Sequence, residues 1–179
     1  PAIAAPKLAV GKILVADPEL NDTEYASTVI LLLRYGPEGA QGMILNDKTE
    51  VPVSRTLPDI REAAATEASV FYGGPETRRF LALLRAQTKP EGAEQVSPDV
   101  YMISSKKLLQ DTLAARATPA VFRVYVGYAQ WERGTLDRQV ADGAWHIYQG
   151  DADLVFDATP ETQWNRMVRS LESRIAKLF

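Results

Sequence analysis

The sequence has no cysteine and a single histidine in 179 residues. The first absence excludes disulfides, thiolate metal sites, iron–sulfur clusters and cysteine nucleophiles. The second excludes any site that needs two histidines from one chain. No apolar run approaches the roughly 20 residues that cross a bilayer, so no membrane-spanning segment is expected. Glycine and proline, 11 of each, are at ordinary usage, which removes collagen-like and proline-rich classes. Basic charge is also short: 20 Lys+Arg face 23 Asp+Glu, giving a net charge of −3 and a pI near 5.3. A general nucleic-acid binder draws its affinity from neutralising phosphates, so no sequence-specific nucleic-acid partner is expected. The basic pairs Arg78–Arg79 and Lys106–Lys107 read as solvated faces. A G-x-S-x-G elbow, a P-loop and a G-x-G-x-x-G turn are all lacking.

What is present points to one ordinary domain. The 46% apolar content and low net charge exclude disorder. A chain of this size buries roughly 70% of its unfolded surface in a single core. Residues 1–9, opening at Pro1 and passing Pro6, read as a flexible leader before a single domain over 10–179. A cytoplasmic chain is the expectation, and the lack of a starting Met at Pro1 leaves export open.

Short apolar runs mark the strands. Residues 10–16 (VGKILVA) stop at Asp17-Pro18, as a strand entering a turn does. Residues 28–35 (TVILLLRY) are apolar almost throughout, which fits a strand buried on both faces. The short link at residues 36–39 makes this strand and residues 40–46 antiparallel neighbours. Further strands are predicted over 69–72, 100–103, 121–128, 144–148 and 154–156, while 80–85 fits a helix or a strand. Residues 87–98 read as a polar loop. Helices are predicted near Asp59, over 106–115 with Ser104 or Ser105 as cap, and over 136–142 closed by Gly143. The last helix has the clearest pattern: Thr159 as N-cap, Pro160 at the first position, and Trp164, Met167, Val168, Leu171, Ile175 and Leu178 on one stripe.

Several positions are candidates for function, each with an ordinary alternative. His146 alternates onto the face opposite Trp145 and Ile147, and no acid motif lies beside it. It or an acid such as Asp137 is the candidate acid/base of an enzyme reading. Tyr72, Gly73 and Gly74 follow a strand, where paired glycines allow close backbone approach or an anion-binding nest, or simply supply a turn. Gly127, Tyr128 and Trp131 place rings at a strand end, as pocket walls or as packing. With Asn46 ending another strand, these residues are expected on one concave binding face. The acids Asp17, Glu19 and Asp22, and again Asp151, Asp153 and Asp157, read as turn residues, so no metal and no cofactor is expected.

Taken together, GKILVADPEL, STVILLLRY, PEGAQGMILN, VFYGGP, VYVGYAQWERGTLDRQVADGAW and DLVFDATPETQW, in this order over about residues 11–168, resemble the YqgE/AlgH family of bacterial proteins. The resemblance implies an α+β fold: a single domain with a bent, partly barrel-like mixed sheet flanked by helices. It also implies an association with transcriptional regulation, including control of exopolysaccharide production. The family carries no recognised DNA-binding motif and no established reaction. A non-catalytic regulatory or binding domain acting through a small ligand or protein partner is therefore the leading expectation. This chain departs from the family pattern at Asp47-Lys48, Ser27, Gln130 and Glu76. Those changes fall in the segments expected to form the shared surface, and so bear on its ligand preference.

Overall fold

Near-continuous apolar runs form the sheet centre, because a strand covered on both faces has no position left for a polar residue. The computed structural model describes residues 6–21 and 23–179. β1 (Ile13–Ala16) and β2 (Val29–Gly36) pair antiparallel, and β2 turns tightly into antiparallel β3 (Gly39–Ile44). Alternation splits these runs between two cores. Ile13, Val15, Val29 and Leu31 face one cluster with Phe71 and Tyr125, whereas Leu14, Ala16, Ile30 and Leu32 face another with Trp131 and Trp145.

The remaining strands are β4 (Lys48–Pro52), β5 (Ser69–Tyr72), β6 (Glu76–Arg85), β7 (Ala93–Ser97), β8 (Val100–Ile103), β9 (Phe122–Glu132) and β10 (Trp145–Tyr148). They form one ten-stranded sheet in the order β10-β1-β2-β3-β9-β6-β8-β7, with β4 on β5 and β5 parallel to β9. β9 joins the two halves. Its start pairs with β6 and β5, and its end, residues 129–132, pairs with β3. The sheet curls into a partial barrel, so the fold is α+β with one mixed, bent sheet, as the resemblance implies.

Among the described residues, five helices flank it: α1 (Val53–Thr56), α2 (Lys106–Ala114), α3 (Thr135–Ala141), α4 (Ala152–Val155) and α5 (Pro160–Ala176), with a 3-10 turn at Arg61–Ala65. α2 is capped by Ser105, whose hydroxyl accepts from the Leu108 amide at 3.1 Å. α5 is tied to the sheet by Trp164, whose indole N–H donates to the Ala16 carbonyl at 2.8 Å, and by buried Met167 and Val168. Beyond them the apolar stripe emerges into solvent at Ile175 and Leu178.

Three sequence expectations are corrected. Residues 87–98 hold the edge strand β7, where only Ala93, Val96 and Ser97 are buried, too few apolar positions to show a period. The exposed edge strand β4 is hidden for the same reason. Residues 154–156 are not a strand: the Asp151 carboxylate accepts from the Leu154 amide at 2.8 Å and caps α4, and this local bond overrides the β preference of Val155 and Phe156. Residues 127–128 do not end a strand, since β9 continues to Glu132. Thr159 occupies the N-cap of α5 without a side-chain capping bond; the Asp157 carboxylate accepts its amide instead, at 2.9 Å.

Candidate functional site

The glycines named from the sequence meet where the chain crosses itself. The Gly73 amide donates to the Val126 carbonyl at 2.8 Å, and the Gly73 carbonyl accepts from the Ile44 amide at 2.9 Å. A Cβ on Gly73 would sit 2.2 Å from the Gly127 carbonyl oxygen, and one on Gly127 would sit 2.2 Å from that of Gly74. Gly127 has φ +80, which lets β9 bend without ending. Backbone meeting backbone explains these glycines. Tyr72 and Tyr128 flank the crossing, half-buried. Burial, with the charges of Glu24 and Asp47 behind it, pushes the Tyr72 phenol up, and burial also raises the Asp47 carboxyl. Asn46 is bound within the protein: its side-chain oxygen accepts from the Val29 amide and its amide donates to the Ser27 carbonyl, both at 2.9 Å.

Trp131 is buried among aromatics. Its ring lies 5.5 Å from Tyr25 and 6.1 Å, edge-on, from Trp145. Burial, and then the charge of Glu24, pushes the Tyr25 phenol up to about 12. Asp137 accepts a hydrogen bond from the Tyr35 hydroxyl, which is the main cause of that phenol's raised pKa. The structure therefore groups Tyr72, Gly73, Gly74, Gly127 and Tyr128 at one crossing, holds Asn46 as a brace at the start of β2, and packs Trp131 into the core.

A roomy cleft lies elsewhere, between β10 and α5. It encloses about 850 Å³ and is lined by residues 145–149, by Met167, Ser170, Leu171 and Arg174 of α5, and by Val140 of α3. His146 projects here, and its Nε2 lies 2.7 Å from the Asp17 carboxylate, both side chains about one-quarter exposed. Burial raises the Asp17 carboxyl, but the Glu19 amide and His146 outweigh it and hold it below its ordinary value. The pair engages Nε2 and leaves Nδ1 as the nitrogen open to other chemistry. No sequence window could reveal it, because 129 positions separate the partners.

The acids near the cleft are spent internally. Asp157 binds Arg166 at 2.6 Å, Asp153 binds Arg85 at 2.9 Å, and Asp151 caps α4. Of the acids near the first turn, Asp22 lies outside the described residues. Among the described residues, no group of three or more His, Asp or Glu is arranged to hold a metal ion.

A second cavity, about 660 Å³, opens at the start of α5 and is lined in part by Lys48, Arg116 and Arg123. Arg123 is 5% exposed and donates to the carbonyls of Pro119, Val155 and Asp157 while lying over the Phe71 ring. Its charge is satisfied by backbone dipoles and a ring face, a tie between β9 and the α4–α5 link.

Comparison with known proteins agrees with this fold. A family model described as AlgH-like matches residues 13–176. A UPF0301 protein of Serratia proteamaculans is 31% identical over 169 residues, 88% of this chain and 89% of that protein. One of Pseudoalteromonas translucida is 28% identical over 171 residues, 92% of each chain. Among solved structures, a protein of Corynebacterium diphtheriae superposes with a TM-score of 0.78 at 19% identity, covering 94% of this chain and 90% of that one. The solution structure of the AlgH protein from Pseudomonas aeruginosa gives 0.72 at 23% identity, covering 94% and 93%. The family match across the whole sheet and the last helix, with a relative above 30% identity, establishes that this chain belongs to the AlgH-like family.

Proposed function

We propose that this chain is a non-catalytic binding domain that regulates through a small ligand or a protein partner, without sequence-specific contact to DNA. The observation that carries the reading is the β10–α5 cleft. It is roomy, it joins an apolar wall (Met167, Leu171) to a few polar groups, and it lies on two rigid elements. The net charge of −3 supports the exclusion of DNA. The crossing at Gly73, Gly74 and Gly127, flanked by the half-buried Tyr72 and Tyr128, is the alternative binding face.

The test is a titration of isotopically labelled protein with octanoate, indole-3-acetate and phenyl phosphate, followed by amide chemical shifts. Saturable shifts confined to residues 145–149 and α5 are expected. A sequence-specific DNA footprint that survives physiological salt would overturn the reading.

One observation favours a second reading, an enzyme with His146 as acid/base: its carboxylate partner Asp17 at 2.7 Å, in a cleft that Ser170 also lines. Hydrolase and transferase substrates turned over by the native protein, and not by His146→Ala, would establish it over the first.

A further inference from the structure

β10 is the last strand of the sheet. Among the described residues it pairs with β1 alone, from Ile13↔Tyr148 to Ala16↔Trp145. In an antiparallel pair only alternate residues direct their N–H and C=O toward the partner, so the others point outward from this edge, which no other strand among the described residues covers. An edge of this kind is a template for another strand unless something covers it. The cleft is where that edge opens. Five consecutive residues, 145–149, line it, and they include residues from both faces of β10. Trp145 and Ile147 belong to the core on one face, with Val140, and Tyr148 belongs to the core on the other, under α5. A cavity that touches both faces of a strand wraps around its edge.

We infer that this edge is a strand-addition site that takes an extended acidic and apolar segment of a partner protein. The inference rests on the binding-domain reading and names its partner class. Main-chain pairing with β10 supplies the common part of the affinity, and side chains alternate between the α5 wall and the α3 side. Charge selects the sign of the segment. The cleft's acid Asp151 is used as a helix cap, and the neighbouring acids Asp17 and Asp157 hold His146 and Arg166. Arg174 lies 6.0 Å from the Tyr148 ring centroid and has no carboxylate partner among the described residues. The Tyr148 hydroxyl is buried there without a hydrogen-bond partner among those residues. A carboxylate on an incoming strand would meet an unneutralised guanidinium on a helix wall that also presents Met167 and Leu171.

The experiment uses the full chain and a capped hexapeptide alternating valine and glutamate, dye-labelled and held at monomeric concentration. Saturable binding is expected, with shifts at residues 145–149. N-methylation of alternate peptide nitrogens keeps every side chain but removes the strand donors, and weakens binding at least tenfold. Replacing glutamate by lysine weakens it at least fivefold. Arg174→Gln removes most of that preference for glutamate while leaving a valine–threonine peptide bound as before. The inference is overturned if the N-methylated peptide binds equally, if shifts fall outside the cleft, if no peptide binds, or if sedimentation shows a second copy of this chain on the edge. Any of these leaves the binding-domain reading to its own titration. Turnover lost in His146→Ala sinks that reading instead.

Discussion

Gly127 shows how a single residue shapes this sheet. At φ +80 it bends β9 where the strand leaves β6 for β3, and its missing side chain admits the Gly74 carbonyl. Gly134 has a similar φ of +76, yet a Cβ there would meet nothing within 4 Å, so the two positions separate crowding from backbone strain. Gly134→Ala is expected to cost about 1 kcal/mol, the usual left-handed penalty. Gly127→Ala must displace backbone and is expected to yield little folded protein. Urea denaturation checks the pair, and equal stabilities would refute the crossing as the reason for the glycine. Residue identity alone hinted at such close approach, because paired glycines after a strand suggest it, but not at what approaches. His146 shows the opposite limit: its partner Asp17 is a turn acid far away in sequence, joined to it only by the β1–β10 pairing.

At the scale of elements, legibility followed burial. β2, with both faces covered, and α5, with Trp164, Met167 and Val168 at helical spacing, stand out in the sequence because burial demands apolar residues at fixed periods. β4 and β7 lie at edges with mostly exposed side chains, so no such demand marks them. The entrance to α5 carries a pH-dependent contact. Burial raises the Asp157 carboxyl, but Arg166 and the Thr159 amide outweigh it and hold it below its ordinary value. A carboxyl depressed in the folded state stabilises fully above its unfolded pKa, near ~4, and that contribution is lost as pH falls through the folded value. Thermal unfolding followed from pH 6 to pH 2 is therefore expected to show a steep acid decline that Arg166→Gln makes shallower. Parallel profiles would remove Asp157–Arg166 as a cause.

For the whole molecule, the curled sheet leaves its two ends in different states. The β7 end carries exposed polar side chains at Glu94 and Gln95, a guarded edge. The β10 end carries Trp145, His146, Ile147 and Tyr148 beside a cleft walled by α5. Family membership and the α+β architecture were legible from ordered motifs that recur through the chain. The cleft was not, since it is made by an edge, a helix and a turn that meet only in three dimensions. The central claim is that binding occurs at this edge. Isotope-filtered intermolecular NOEs between labelled protein and the valine–glutamate peptide test it most directly. The account predicts cross-strand contacts from peptide α-protons to residues 145–148 and valine methyl contacts to Val140 on the α3 side. Contacts at the Gly73–Gly127 crossing or in the Arg123 cavity would contradict it.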